Sequence, residues 1–271
     1  MVLSCSRTMA ILAVLVGAGL VSGCVSASDP ESSAGKPVSE QSRLLNIARD
    51  IDAKGETGTA LALYERAAEM STNDSTTHVK LGNARLKDGD PEGAEKAYRT
   101  ALQINPQDAD ALLGLGTIQL QHGDAIGAAK TLAPAAQAVN SVSAYNKLGT
   151  ALVLAGDGAA AEGAFTKALA LQPSNLDTKT NLALAQALSN KLPDASIGMD
   201  SVVASPLAEK RHFVNYMIIL SLSGDTARAR AIDIPDMPAN QKNQILAKAA
   251  KLRSIQSPAE RAQAIGLLAS T

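Results

Sequence analysis

The sequence predicts an all-α fold, a helix-turn-helix solenoid of about six repeats closed by C-terminal capping helices, and three observations predict it. A glycine, or asparagine in its place, recurs at Gly55, Gly89, Gly123, Gly156, Asn190 and Gly224, with spacings of 34, 34, 33, 34 and 34 residues. Five residues after each stands an alanine, at Ala60, Ala94, Ala128, Ala161, Ala195 and Ala229. The composition is 46% hydrophobic but only 2% aromatic, with no tryptophan. Small side chains must therefore pack thin layers of helices rather than fill a thick interior. A fixed period of this length marks stacked supersecondary units, none of which buries its apolar face alone.

The chain ahead of the repeats reads as an address and an anchor. Arg7 gives a positive start, residues 9–21 form an apolar run, and small residues follow. That is the layout of a secretory signal, and the run is too short to cross a bilayer. It closes in Leu20-Val21-Ser22-Gly23-Cys24, which resembles a bacterial lipobox. The resemblance implies a lipoprotein signal peptide over residues 1–23 and diacylglycerol on the Cys24 sulfur. The competing reading is a plain signal peptide with a chance cysteine. Cys5 and Cys24 are the two cysteines, so cleavage discards one and lipidation uses the other, leaving an exported protein without a free thiol. Acyl chains hold a soluble domain on a membrane without a spanning helix. By enterobacterial sorting, Val25 in place of Asp after the anchor implies the outer membrane. Residues 24–40 continue as serine, proline, glycine and charge, a flexible tether.

From residue 41 the periodic units follow as 41–74, 75–108, 109–141, 142–175, 176–209 and a degenerate 210–234. Each reads as a helix, a tight turn and a second helix. Glycine or asparagine takes the left-handed conformation that ends the first helix, and Asp90, Asp124, Asp157 or Asp225 caps the amides of the second. Asp90-Pro91-Glu92 adds a proline at the first helical position. The recurrent alanine stands where the two helices cross, and a larger side chain there would push them apart.

Residues 75–108 carry Leu81-Gly82, Ala94, Tyr98, Ala101 and Pro106, and residues 142–175 carry Leu148-Gly149, Ala161, Phe165, Ala168 and Pro173. In this the units resemble the tetratricopeptide repeat, with His78 where a tryptophan usually stands. Weaker matches are Ile47-Ala48, Ala60, Tyr64 and Ala67, then Leu115-Gly116, Ala128, Leu132 and Ala135, then Leu182-Ala183, Ala195, Met199 and Val202. Pro134, inside the second helix of the third unit, predicts a kink or break. Residues 235–271 read as a helical cap over the last repeat, with helices near 239–255 and 258–269. Ser257-Pro258-Ala259-Glu260 opens the second with a capping-box signature. Lys242, Lys248, Lys251 and Arg253 on the first are solvating charges or a docking patch.

Chemistry is sparse. The 25 Lys plus Arg against 26 Asp plus Glu lack the basic excess of a general nucleic-acid binder. His78, His122 and His212 fall at different repeat positions without metal-ligand spacing, and Gly114-x-Gly116 leads no strand, so it is no phosphate loop. The reading is a non-enzymatic protein with no cofactor, metal or small-molecule substrate.

The remaining candidate is the concave surface of the stack. In tetratricopeptide proteins the second, fifth, ninth, twelfth and thirteenth positions of each first helix line it. Carried onto this register, the resemblance implies a partner groove of Leu45, Arg49, Val79, Asn83, Leu86, Leu113, Thr117, Leu120, Asn146, Thr150, Val153, Leu154, Leu184, Leu188, Val214 and Ile218. Much of this set is aliphatic, which suits an amphipathic helix as ligand. Two alternatives are packing between adjacent helices and occupation of the groove by the C-terminal helix of the same chain. Apart from Asn83, the Lys and Asn set that grips a C-terminal carboxylate in some relatives is absent.

Anchor, tether, repeats and a degenerate last unit together resemble the TadD family, the tetratricopeptide lipoproteins of tight-adherence (Flp pilus) systems. The more particular part is Arg211-x3-Asn215 followed by Leu220-Ser221-Leu222-Ser223-Gly224-Asp225. The resemblance implies an outer-membrane, periplasm-facing assembly factor whose partner is a secretin or another pilus component. A general periplasmic scaffold or chaperone, such as a pilotin-like protein of type IV pili, is the alternative.

Overall fold

The structure is a computed structural model describing residues 39–70, 73–234 and 236–269, with side chains described as far as Gly266. The signal peptide, Cys24 and the tether before Ser39 lie outside the described residues. Among the described residues there are fourteen α-helices, one short 3-10 turn and no strand. They fall into antiparallel pairs: α1 (Glu40–Ala53) with α2 (Thr57–Glu69), α3 (Ser75–Asp88) with α4 (Pro91–Ile104), and α5 (Ala109–Gln121) with α6 (Ala125–Val139). Next come α7 (Val142–Leu154) with α8 (Gly158–Leu171), α9 (Leu176–Leu188) with α10 (Leu192–Val203), and α11 (Lys210–Ser223) with the short α12 (Thr226–Ala231). The chain ends in α13 (Ala239–Lys251), the 3-10 turn Leu252–Ser254 and α14 (Pro258–Ala269).

The sequence register is the register of the fold. Gly55, Gly89, Gly123, Gly156 and Gly224 have φ between 79° and 87°, and Asn190 has φ 62°. These six residues turn the chain between the helices of each pair. The carboxylates of Asp90, Asp124, Asp157 and Asp225 each accept an amide hydrogen three residues on, at 2.9–3.0 Å. Ala60, Ala94, Ala128, Ala161, Ala195 and Ala229 are all 0% exposed, as close crossing of two helices requires. Because a β-branched residue resists positive φ, Asn190→Val is expected to cost about 1–2 kcal/mol in denaturant unfolding, with Asn190→Gly at or slightly above wild type.

A second internal spacing knits each pair together. Gly82, Gly116 and Gly149 on first helices face Tyr98, Leu132 and Phe165 sixteen residues on; a Cβ on these glycines would come within 2.6 Å of the facing side chain. The larger residue of the second helix thus lies directly on the backbone of the first. Tyr98 also reaches the next repeat, where a Cβ on Gly114 would lie 2.3 Å from its ring.

The core is a line of small clusters along the array, each bridging two adjacent repeats, that thickens at the C-terminal end. That end centres on α11, in which every residue from Val214 to Leu222 is buried. Arg211 on this helix donates to Asp177 of α9 at 2.7 Å, and the same guanidinium holds the Asp177 carboxyl below its ordinary pKa. His212, buried, accepts the Glu209 amide hydrogen at Nδ1 (2.8 Å) and faces Asp177 with Nε2 (3.1 Å). Tyr216 donates to Asp200 of α10, and Arg228 of α12 donates to both.

Two departures from expectation have simple causes. Helix α6 runs unbroken through Pro134. The ring is on the exposed face, where water can take the Lys130 carbonyl that proline frees, while packing against α5 and α7 holds the rest. At the C-terminal end, α13 packs on α11, but α14 folds back over α7, α9 and α11.

Tyr98 and Tyr216 are buried, and burial pushes both phenols up to about 12, helped for Tyr216 by the Asp200 carboxylate. A folded pKa above the ordinary value of 10 means that these phenols favour the fold fully below pH 10. That contribution is lost as pH rises from there through about 12. Absorbance titration should show Tyr98 and Tyr216 ionising late, with Tyr64 also raised by burial and by Asp52, together with alkaline loss of helix.

Candidate protein-binding groove

The odd-numbered helices from α3 to α11 touch their odd-numbered neighbours directly, so the first helices form an inner layer. The predicted groove residues divide along it. Leu45, Leu86, Leu113, Thr117, Leu120, Asn146, Val153, Leu154 and Leu184 are half-buried, and Arg49, Asn83 and Thr150 are exposed. Val79 and Leu188 are buried between helices, and Leu113 packs on Tyr145 and Leu148 of the following pair.

Val214 and Ile218 are corrections to the predicted lining. They are interior residues, with Ile218 0% exposed, because α11 is enclosed by α9, α10, α12, α13 and α14. The signal was in the sequence: Phe213-Val214-Asn215-Tyr216-Met217-Ile218-Ile219-Leu220 has no polar face, the pattern of a helix buried all round. A register carried over by position alone assigns such a helix an exposed side that it lacks.

The groove has an open stretch and an occupied one. The open stretch at α7 is lined by Leu120, Val142, Ser143, Asn146, Lys147, Thr150 and Asn175. Asn146 donates to Thr178 Oγ1 at 2.8 Å while its own Oδ1 is buried without a partner. Burial pushes the Lys147 ammonium below its ordinary pKa. Asn83, which in the second repeat stands where Thr150 stands in the fourth, has its oxygen taken by the Tyr98 hydroxyl at 2.6 Å.

Beyond Thr150 the surface becomes an apolar trough of Val153, Leu154, Leu184 and Leu188, and α14 lies in it. Among the described side chains of α14, Ala262 and Ile265 are buried, and its first turn passes Gly156, where a Cβ would lie 3.5 Å from that of Ala259. Among the described side chains Ile265 and a few alanine methyls hold the helix, and their burial contributes about 3–5 kcal/mol. Occupation of the groove by the C-terminal helix of the same chain is one of the alternatives the sequence leaves open, and α14 takes it over this part of the groove.

This surface offers shape, apolar area and amide groups, and little else. Among the described residues no group of three or more His, Cys, Asp or Glu side chains is placed to hold a metal ion, and no helix is long and apolar enough to cross a membrane.

Known proteins place the fold. A family model for the middle tetratricopeptide-like domain of cilia and flagella-associated protein 70 matches residues 44–147, and a tetratricopeptide-repeat model matches residues 146–197. Both models are of tetratricopeptide type, and the fold of this chain is the tetratricopeptide-repeat superhelix. Among solved structures, a tetratricopeptide repeat protein from Parabacteroides merdae superposes with a TM-score of 0.62 at 16% identity, over 85% of this chain and 92% of its own. PilF of Pseudomonas aeruginosa gives 0.56 at 17% identity, over 71% and 88%. YrrB, described as a tetratricopeptide protein with an unusual peptide-binding site, gives 0.55 at 18%, over 74% and 97%. No curated protein matches the sequence. At these identities the likeness establishes the fold, which is generally a non-catalytic scaffold for protein–protein interaction.

Proposed function

We propose that this protein is a non-enzymatic lipoprotein scaffold of tight-adherence (Flp) pilus assembly, anchored through Cys24 to the outer membrane and facing the periplasm. Its concave groove holds a helical segment of a secretin or a neighbouring pilus component and raises the local concentration of that component where the pore assembles. The observation that carries the groove mechanism is α14: the trough of Val153, Leu154, Leu184 and Leu188 already accommodates a helix. The pilus assignment is supported by the lipobox Leu20-Val21-Ser22-Gly23-Cys24 and by Arg211-x3-Asn215, whose arginine fixes α11 to α9 and whose asparagine lines the trough.

Two experiments test it. Cys24→Ser is expected to move the protein from the membrane fraction to the soluble one, and unchanged membrane association rejects the anchor. A deletion strain is expected to lose normal secretin multimers from its outer membrane. Normal multimers, with crosslinking from the groove to an unrelated protein, would favour a general periplasmic scaffold instead.

A further inference from the structure

The trough under α14 is poorly filled by the helix that lies in it. Beside Ala262, Ile265 and Gly266 a cleft of about 230 Å³, open on one side, remains above Val153, Leu154, Leu184 and Leu188, apolar surface that a larger side chain on a docked helix would cover. Asn215 lines the same cleft, is 8% exposed, and buries its Oδ1 without a hydrogen-bond partner. An amide oxygen left unpaired in the interior is costly and rarely kept without a reason. Gly266 weakens the helix further, since glycine disfavours a helix interior. It borders the cleft, and a Cβ built on it meets nothing within 4 Å. One kind of occupant would remove all three defects: a helix with a bulky aliphatic side chain at the Gly266 position and a donor opposite Asn215.

We infer that the trough of α7, α9 and α11 is the docking surface for such an amphipathic helix of a protein partner, with α14 as a weaker intramolecular stand-in. This rests on the proposed groove-binding function and adds to it the shape of the ligand and the step that exposes the site. Docking displaces α14 about the short link at residues 255–257, where Arg261 donates to the Ile255 carbonyl at 3.1 Å and ties the helix to its own hinge. Because α14 is tethered, its effective concentration at the trough is high. A partner must therefore fit better than α14 does, and the cleft and Asn215 supply the room and the bond for it. The stand-in keeps apolar surface covered until that partner arrives.

The test compares three forms of the full chain: wild type, Ile265→Asp and Gly266→Leu. The probe is a labelled synthetic helix with the sequence of residues 257–269 carrying leucine in place of Gly266. Circular dichroism and hydrogen exchange first establish that the repeats are folded and that α14 is released in Ile265→Asp. The probe is expected to bind Ile265→Asp about tenfold more tightly than wild type, and Gly266→Leu about tenfold more weakly than wild type. Equal affinity for the three forms overturns α14 as a stand-in and leaves groove binding elsewhere intact. No binding to Ile265→Asp with α14 released overturns the trough as a helix-docking surface; partner crosslinks confined to the open stretch from Leu45 to Thr150 would then preserve the proposed function. A wild-type dimer that Ile265→Asp dissociates assigns the trough to α14 of a second copy and overturns the partner helix. If Ile265→Asp unfolds the repeats, Gly266→Leu decides alone, and probe affinity unchanged from wild type overturns the inference.

Discussion

Tyr98→Ala is expected to destabilise the N-terminal repeats by about 3–5 kcal/mol, the range for removing a fully buried aromatic ring. The ring is 0% exposed and lies between the backbones of Gly82 in its own repeat and Gly114 in the next. Its loss therefore opens the contact within one pair and the contact between two pairs together. In a solenoid each unit leans on its neighbours, so the loss is expected to appear as early amide exchange in α3, α4 and α5 while α9 to α13 stay protected. Tyr98→Phe removes only the hydroxyl bonded to the exposed Asn83 and should cost about 1 kcal/mol or less. Gly114→Ala, which drives a methyl into the ring, should cost about 1–3 kcal/mol in the wild type. Against Tyr98→Ala that cost should vanish, and a double-mutant cycle in urea measures the coupling. Additive effects of the two substitutions would contradict the packing described.

Ile218→Ala is expected to cost about 2–5 kcal/mol, as for a buried aliphatic side chain whose site cannot collapse. Five helices surround α11, and Met217, Ile219 and Leu220 beside Ile218 are equally 0% exposed, so there is no mobile neighbour to fill the hole. The size of the loss separates two accounts of this residue. A side chain lining an open groove would change stability by about 0.5 kcal/mol or less and would change partner binding directly. The interior position predicts a large loss of stability, seen as accelerated exchange from α9 to α13, and an effect on binding only through that loss.

The solenoid was legible in the sequence because its determinants are local and repeated. A positive φ after each first helix calls for glycine or asparagine, a close crossing calls for alanine, and six copies in one register leave little freedom. The pairing of Gly82, Gly116 and Gly149 with Tyr98, Leu132 and Phe165 was written there too, as a constant offset that becomes intelligible once the two helices are seen to touch. The C-terminal region was harder because its contacts are made once. The sixth repeat keeps its turn at Gly224 and its alanine at Ala229, yet its second helix stops at Ala231, and the chain spends the following residues wrapping α11. That wrapping converts a first helix, which elsewhere has a free concave side, into an interior one, so Val214 and Ile218 left the groove. Pro134 sits on the exposed face of α6, which continues to Val139 without the break that the proline allowed for.

The groove was half legible for the same reason. Position within the repeat correctly places Leu86, Leu120, Thr150 and Leu184 on the inner helices. What lies over Thr150 and Leu184 is a matter of long-range packing by α14, whose described buried side chains are Ala262 and Ile265, with Ala259 beside Gly156. Asn215 stays unbonded beneath that face, and the proposal is that the groove holds a partner helix as well as its own tail.

The most direct test of that claim is site-specific photocrosslinking in intact cells, with the reactive group placed in turn at Leu86, Thr150, Ile126 and Ile197. The first two stand on the inner helices α3 and α7; Ile126 and Ile197 are 61% and 68% exposed on the second helices of their pairs. The account predicts protein adducts from Leu86 and Thr150 and none above background from Ile126 and Ile197. Adducts from Ile126 and Ile197, with Leu86 and Thr150 silent, would contradict it.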